Sequence, residues 1–184
     1  MPAVAPARGS AYDFAPLTAR ALTPMALHVA LLESLGVPLT GAIARRCAEA
    51  DAPLHLIGPL PFAEDDAALR SAGPANWGAL DLWVHPGWRD FRDAMSRERC
   101  LYFAAEGERD PKEAPYRPNS VLVFGDASGS MPEKIRGKYP ERLFRLPSPQ
   151  GPKPVALANQ VAAVLTIAAS RMSDAPPKKK QRRR

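Results

Sequence analysis

From Leu27 onward the chain alternates short, nearly continuous apolar runs with stretches whose apolar residues recur at helical spacing. The runs Leu27–Leu32, Leu54–Ile57, Leu80–Val84, Leu101–Ala104, Val121–Phe124 and Leu143–Leu146 are bounded by Gly, Pro or charged residues and read as strands. Between them, Gly41–Ala50, Asp66–Ser71 and Trp88–Met95 read as helices. The clearest helix is the last, where Val161, Val164, Leu165, Ala168, Ala169 and Met172 fall on one face. Strands without polar alternation are covered on both faces, so the pattern predicts an α/β fold built on a largely parallel sheet.

Composition adds little until the charge is located. The 184 residues are 46% apolar and 24% charged, enough for one domain with a real core. No apolar run approaches the roughly 18 residues of a membrane span, so no membrane partner is expected. Cys47 and Cys100 lack metal or redox spacing and are expected as buried thiols, in a reducing compartment. Three histidines with no adjoining cysteine or carboxylate cluster give no metal site. The net charge of +6 equals the charge of Lys178, Lys179, Lys180, Arg182, Arg183 and Arg184, so the body is neutral and the excess sits on a tail.

Three units follow: an Ala/Pro-rich extension over 1–25, a folded domain over 26–173 and a basic tail over 174–184. The extension carries Arg8 and Arg20 against a single acid, Asp13. It reads as an organelle-targeting remnant or as a plain flexible segment, and its prolines disfavour an amphipathic helix. The tail reads as an RNA-phosphate contact, with a log–log salt slope of about −4 on single strands. A nuclear-localisation run and a solubilising tail are the other readings.

Three segments join strand to helix. In Pro38-Leu39-Thr40-Gly41, Pro38 fixes φ, Thr40 can cap and Gly41 lets the backbone turn. Arg45 then falls near the helix start, at the sheet edge where α/β proteins bind ligands, and could grip a phosphate; Arg46 beside it reads as solvated. Val121–Phe124 leads into a loop whose Gly125 and Gly129 permit a ligand to approach the backbone. Arg145-Leu146-Pro147 leads through a Pro/Gly-rich connection to the last helix, with Asn159 in its first turn.

Together and in this order the segments resemble the SPOUT class of RNA methyltransferases, nearest the minimal tRNA ribose 2'-O-methyltransferases of the wobble cytidine or uridine. That family reads P-x-N-T-G-N-I-x-R, F-G-x-E-x-x-G-L-P, R-I-P and S-x-N-L-S-N. Thr40, Gly41, Ile43 and Arg45 match the first motif, and Phe124, Gly125 and Pro132 the second. Arg145, Pro147, Leu157 and Asn159 match the rest, and the likeness runs from about Leu27 to Met172. It implies a Rossmann-like parallel sheet with a C-terminal trefoil knot, dimeric through the knot region. It also implies S-adenosylmethionine as cofactor, Arg45 at the catalytic and RNA-contacting position, and cofactor contacts at Ala104, Gly125, Leu146, Pro154, Leu157 and Asn159, largely through backbone groups.

The departures are mostly polar-to-apolar. Leu39 and Ala42 stand where the family has Asn, Ala127 where it has the loop Glu, Gly129 at an Arg and Ser130 at a Gly. Pro154, Ala156 and Ala158 replace Ser, Asn and Ser, and Pro154 has no backbone donor. A lost oriented hydrogen bond in an active site costs ~3–4 kcal/mol in the barrier. On that count the sequence is expected to be a non-catalytic homologue, with S-adenosylmethionine needed only if it is active, that binds rRNA or tRNA as a ribosome component or assembly factor. The alternative is an active S-adenosylmethionine-dependent tRNA or rRNA ribose 2'-O-methyltransferase. Expected partners are RNA, a second copy or another SPOUT chain, or ribosomal proteins. The expected location is mitochondrial, with cytoplasmic or nuclear as alternatives.

Overall fold

The computed structural model describes residues 26–32, 35–62, 67–148 and 156–174. Six strands form one parallel sheet: β1 (His28–Leu31), β2 (Leu54–Ile57), β3 (Leu82–His85), β4 (Cys100–Ala104), β5 (Val121–Phe124) and β6 (Leu143–Arg145). Their order is β3-β2-β1-β5-β4-β6. Among the described residues, four α-helices lie between strands, α1 (Val37–Glu49), α2 (Ala67–Ala72), α3 (Trp88–Ala94) and α4 (Glu133–Lys138), and a fifth, α5 (Ala156–Ser173), follows β6. Every expected strand is present, two with the expected bounds and the others shifted by one or two residues.

Alternate residues of each strand feed two separate cores, which is why the runs carry no polar alternation. Val29, Leu31, Leu54, Leu56, Leu101, Phe103, Leu122, Phe124 and Phe144 face α1 and α5. Ala30, Ile57, Cys100, Tyr102, Ala104, Val121 and Val123 face Phe91 of α3 and Ile135 of α4. On α5, Leu157, Val161, Val164 and Leu165 are buried, each contributing about 1.5–3 kcal/mol through apolar burial. Ala169 is exposed rather than on the buried face, and Met172 is half-buried at its margin. Helix α4 was not anticipated: its six residues bury Ile135 alone, too little for a periodic signal.

The strand order turns between β1 and β5: from β1 the chain moves to β2 on one side, and from β5 it moves to β6 on the other. Leu32 N donates to Phe124 O at 2.8 Å, so these strands stay paired to their carboxyl ends. The segments following β1 and β5 therefore emerge side by side at a topological switch point. The segment after β6 emerges beside β4, two strands further along. The connection over 149–155, on which the expected knot depends, lies outside the described residues, as do the extension over 1–25 and the tail from 175. No helix among the described residues is long and apolar enough to cross a membrane.

Candidate active site at the carboxyl edge of the sheet

Helix α1 starts four residues earlier than the sequence suggests. It begins at Val37 with Pro38 in the first turn, where a missing N–H costs nothing. Thr40 consequently does not cap. It lies inside the helix, buried, and its hydroxyl donates to Leu35 O at 3.2 Å. Gly41 serves no turn either, since a Cβ there would sit 2.5 Å from Ala72 Cβ. Its role is the close approach of α1 to α2. The apolar residues that replace the family's Asn pair pack inward: Leu39 is buried in the core and Ala42 lies against it.

Because the helix starts early, Arg45 lies in its third turn rather than at its N-terminus. Its Nε donates to Gly73 O at 2.8 Å and its Nη2 to Ser71 O at 3.4 Å. The guanidinium thus holds the carbonyl end of α2, a favourable place for a cation. Two of its three nitrogens are committed, which departs from the expected bidentate grip on phosphate. Arg46 is not merely solvated: Nη1 pairs with Glu49 at 3.0 Å and Nη2 donates to Asn159 Oδ1 at 3.1 Å. Asn159, in the first turn of α5 as expected, therefore joins α5 to α1.

After β5 the chain makes a closed loop organised by Asp126, a residue the sequence reading passed over. Asp126 Oδ1 accepts from Ser128 N at 2.8 Å, Ser128 Oγ at 2.6 Å and Ser130 N at 2.9 Å. Asp126 N returns to Ser130 O at 2.9 Å, and Gly129 takes φ +80° at the tip. The Asp-Ala-Ser-Gly-Ser order was the available signal, being an Asx turn with a glycine where φ must be positive. The space beside the two glycines is taken by protein. A Cβ on Gly125 would fall 1.7 Å from Ser130 O, and one on Gly129 2.6 Å from Leu146 Cδ1.

The three loops of this half interlock. Ala105 N donates to Gly129 O at 2.8 Å, joining the β4 and β5 loops. Leu146 N donates to Ala104 O at 2.9 Å, joining β6 to β4. Arg145 Nε donates to Gly107 O at 3.0 Å, and a Cβ on Gly107 would fall 2.3 Å from Phe144 C. Ser130 Oγ donates to the Glu106 carboxylate, with Arg136 Nη1 at 3.8 Å. Burial pushes the Glu106 carboxyl up, but the Ser130 hydrogen bond, its own backbone contacts and Arg136 outweigh it and hold it below the usual range. Gln160 Nε2, also missed, donates to Pro147 O at 2.7 Å and ties α5 to the end of β6.

Ala104, Gly125 and Leu146 are thereby brought together along one edge: Phe103 pairs with Phe124, and Ala104 with Arg145. Leu157 is not at that edge by its side chain, which is 1% exposed in the core. Pro154 and the tail residues Lys178, Lys179, Lys180, Arg182, Arg183 and Arg184 lie outside the described residues.

Away from this edge, the three histidines form a ladder across β1, β2 and β3. His28 Nδ1 lies 3.0 Å from His55 Nε2, and His55 Nδ1 lies 3.0 Å from His85 Nε2. Each gap holds one proton, so a third proton sits on one outer nitrogen and all three neutral rings share one tautomer. Burial pushes all three pKa values down. Asp81 opposes this at His28 and Arg99 adds to it; the neighbouring rings add to it at His55; Asp90 opposes it at His85. Among the described residues, no group of three or more His, Cys, Asp or Glu is placed to hold a metal ion. Both thiols are buried, Cys100 being pushed up to about 11 chiefly by burial and Cys47 further still, so neither is poised as a nucleophile.

No family model matches the chain. Individual relatives do. It is 34% identical over 141 residues to the tRNA (cytidine(34)-2'-O)-methyltransferase of Burkholderia pseudomallei strain 1106a, covering 75% of this chain and 90% of that one. The chain belongs to that family. A structure solved in work on 2'-OH methylation of C/U34 on tRNA superposes with a TM-score of 0.69 at 31% identity, covering 80% of this chain and 91% of that one. AviRb of Streptomyces viridochromogenes, a SpoU methyltransferase solved with the cofactor AdoMet, shares the fold alone: TM-score 0.64 at 17% identity, covering 82% and 59%. The chain is thus a SPOUT-type RNA 2'-O-methyltransferase homologue with an α/β parallel sheet.

Proposed function

We propose that this chain is an active S-adenosylmethionine-dependent tRNA ribose 2'-O-methyltransferase acting on the wobble nucleotide, rather than the non-catalytic ribosome-associated homologue expected from its departures. The observation that carries this reading is how the cofactor edge is built. Main-chain hydrogen bonds and glycine contacts tie the loops after β4, β5 and β6 to one another, so exchanging side chains other than those of Asp126, Ser130, Arg145 and Gln160 leaves the cradle standing. The apolar residues at 39 and 158 are core residues here, 9% and 1% exposed, and repack helices rather than blocking the edge.

The cradle fits the cofactor by its chemistry: Ala104 and Gly125 carry at most a methyl group and the Leu146 side chain is turned into the core, so what they offer is main chain, suited to an adenosine read through backbone groups. S-adenosylmethionine, when bound, supplies a methyl group already activated on a sulfonium. What is left to the chain is to align a ribose 2'-hydroxyl and steer away its proton. Arg45 is the residue for that task, a guanidinium whose direction is fixed by the end of α2. The basic tail adds affinity for RNA without sequence preference.

The test is transfer of a labelled methyl group to tRNA, with the modified nucleotide mapped. The wild type is expected to methylate the ribose at position 34, and Arg45→Ala to lower kcat by about 10²–10³. A wild type that binds tRNA but transfers no methyl group to any ribose overturns this reading. It would establish the non-catalytic one, which the apolar residues at 42, 127 and 156 favour.

A further inference from the structure

Beside Arg45 lies a groove of about 920 Å3, separate from the cofactor edge. Its walls are Arg45 and Glu49 of α1, Arg70 and Ser71 of α2, and the Gly73–Trp77 turn. We propose that this groove binds a single-stranded nucleotide flanking the methylated one, with Trp77 stacking on its base and Arg70 meeting its phosphate. The proposal rests on the reading of the chain as an RNA methyltransferase and assigns the residues that seat the substrate.

Trp77 is held as a platform. Its ring lies so close to Gly73 that a Cβ there would fall 1.9 Å from Trp77 Cζ2. Its Nε1 donates to Arg70 O at 3.1 Å, which fixes the ring's direction while the residue stays half-exposed. A preset aromatic face is what sequence-tolerant stacking of an unpaired base needs.

The charges favour a polyanion. Arg45 is anchored to Gly73 O, and Arg70, which lines the same groove, is exposed. The carboxylate of Glu49 is paired with Arg46 at 3.0 Å, so it does little to offset them. Asn76 supplies the polar edge: its Oδ1 accepts from Gly78 N at 3.1 Å, which leaves the amide N–H groups as its outward donors. Cation, ring and amide line one groove together with Arg45, the residue assigned above to the methylated ribose, and on that assignment a nucleotide seated here flanks the methylated one.

The experiment measures binding of the full chain to an anticodon stem-loop RNA across a salt series, alongside S-adenosylmethionine binding and steady-state methylation. Trp77→Leu is expected to weaken RNA binding and raise the RNA KM about tenfold, with S-adenosylmethionine affinity unchanged. Trp77→Phe keeps a ring and is expected to stay within about threefold of wild type. Arg70→Ala, at an exposed position that leaves its carbonyl for Trp77, is expected to reduce the salt slope by about 0.7. Trp77→Leu and Arg70→Ala proteins that melt like wild type and bind RNA with its affinity and slope overturn the groove, even if methylation is robust. Conversely, a wild type without methylation would defeat the enzymatic reading, while loss of RNA binding in both variants would still uphold the groove.

Discussion

The β4–β6 half of the sheet and the β1–β3 half position their loops by different means. In the first, loops are tied main chain to main chain, as in Ala105 N to Gly129 O and Leu146 N to Ala104 O. Its arginines serve the same end: Arg142 Nη1 donates to Glu98 O at 2.7 Å, and Arg145 Nε to Gly107 O. In the second half, main-chain ties such as Gly58 N to His85 O are joined by side chains that carry more of the arrangement: Arg45 on the end of α2, Trp77 against Gly73, and the histidine ladder between strands. A site made of backbone tolerates new side chains, whereas a site made of side chains does not. Under the proposed function, this is why the segments at the β4–β6 edge can lack the family's Glu, Ser and Asn while Arg45 is present.

The sharpest way to break that contrast is to disturb the backbone half at one atom. Gly125→Ala puts a methyl group where Ser130 O already lies. The loop must open, which is expected to lower stability by about 1–3 kcal/mol and to abolish S-adenosylmethionine binding. Denaturant unfolding and calorimetry read the two effects. Retained cofactor affinity in a folded variant would show that the loop is not part of the cradle. Next in size, Asp126→Ala removes the acceptor of three loop hydrogen bonds, at a cost of about 1–3 kcal/mol. Asp126→Asn keeps an Oδ1 acceptor and should recover most of that loss.

How much of this was legible follows from the range over which each signal acts. β2 and β5 were readable because Val121–Phe124 is a continuous apolar run and Leu54–Ile57 is interrupted by His55 alone, a property of the strand itself. Asp126 was readable in principle, since its turn is closed within five residues. Arg45 was singled out from its place after β1 and from the resemblance, but its partners Ser71 and Gly73 come from another helix end, 26 and 28 residues away. The same holds for the ladder: His28, His55 and His85 are 27 and 30 residues apart, and strand order and register alone decide that they meet. The family resemblance gave the fold its frame, yet its weight on lost side chains pointed toward a non-catalytic protein. What those positions touch, mostly core and backbone, became visible only in three dimensions.

The ladder offers a smaller, pH-dependent test of the side-chain half. All three histidines have folded pKa values depressed below the ordinary 6.5, so the unfolded chain binds protons first on acidification. Their contribution is present above pH 6.5 and is lost as pH falls through the depressed folded values. The denaturation midpoint is expected to drop between pH 7 and pH 5, and to drop less in His55→Leu, which removes the central ring. Equal slopes for the two proteins would separate the ladder from acid stability.

The smallest stability effect is expected where the lost chemistry is easiest to restore. Ala127 occupies the family's loop Glu position, exposed beside the Asp126 turn, and takes no part in the hydrogen bonds that close it. Ala127→Glu should therefore change stability by no more than about 0.5 kcal/mol. If backbone groups do the work at this edge, cofactor affinity and kcat should stay within about threefold of wild type, read by calorimetry and single-turnover methylation. A tenfold gain in kcat would mean that the carboxylate acts on substrate or cofactor after all. The cofactor half would then depend on side chains as much as the half that holds Arg45, and this chain would be an enzyme running without one of its groups.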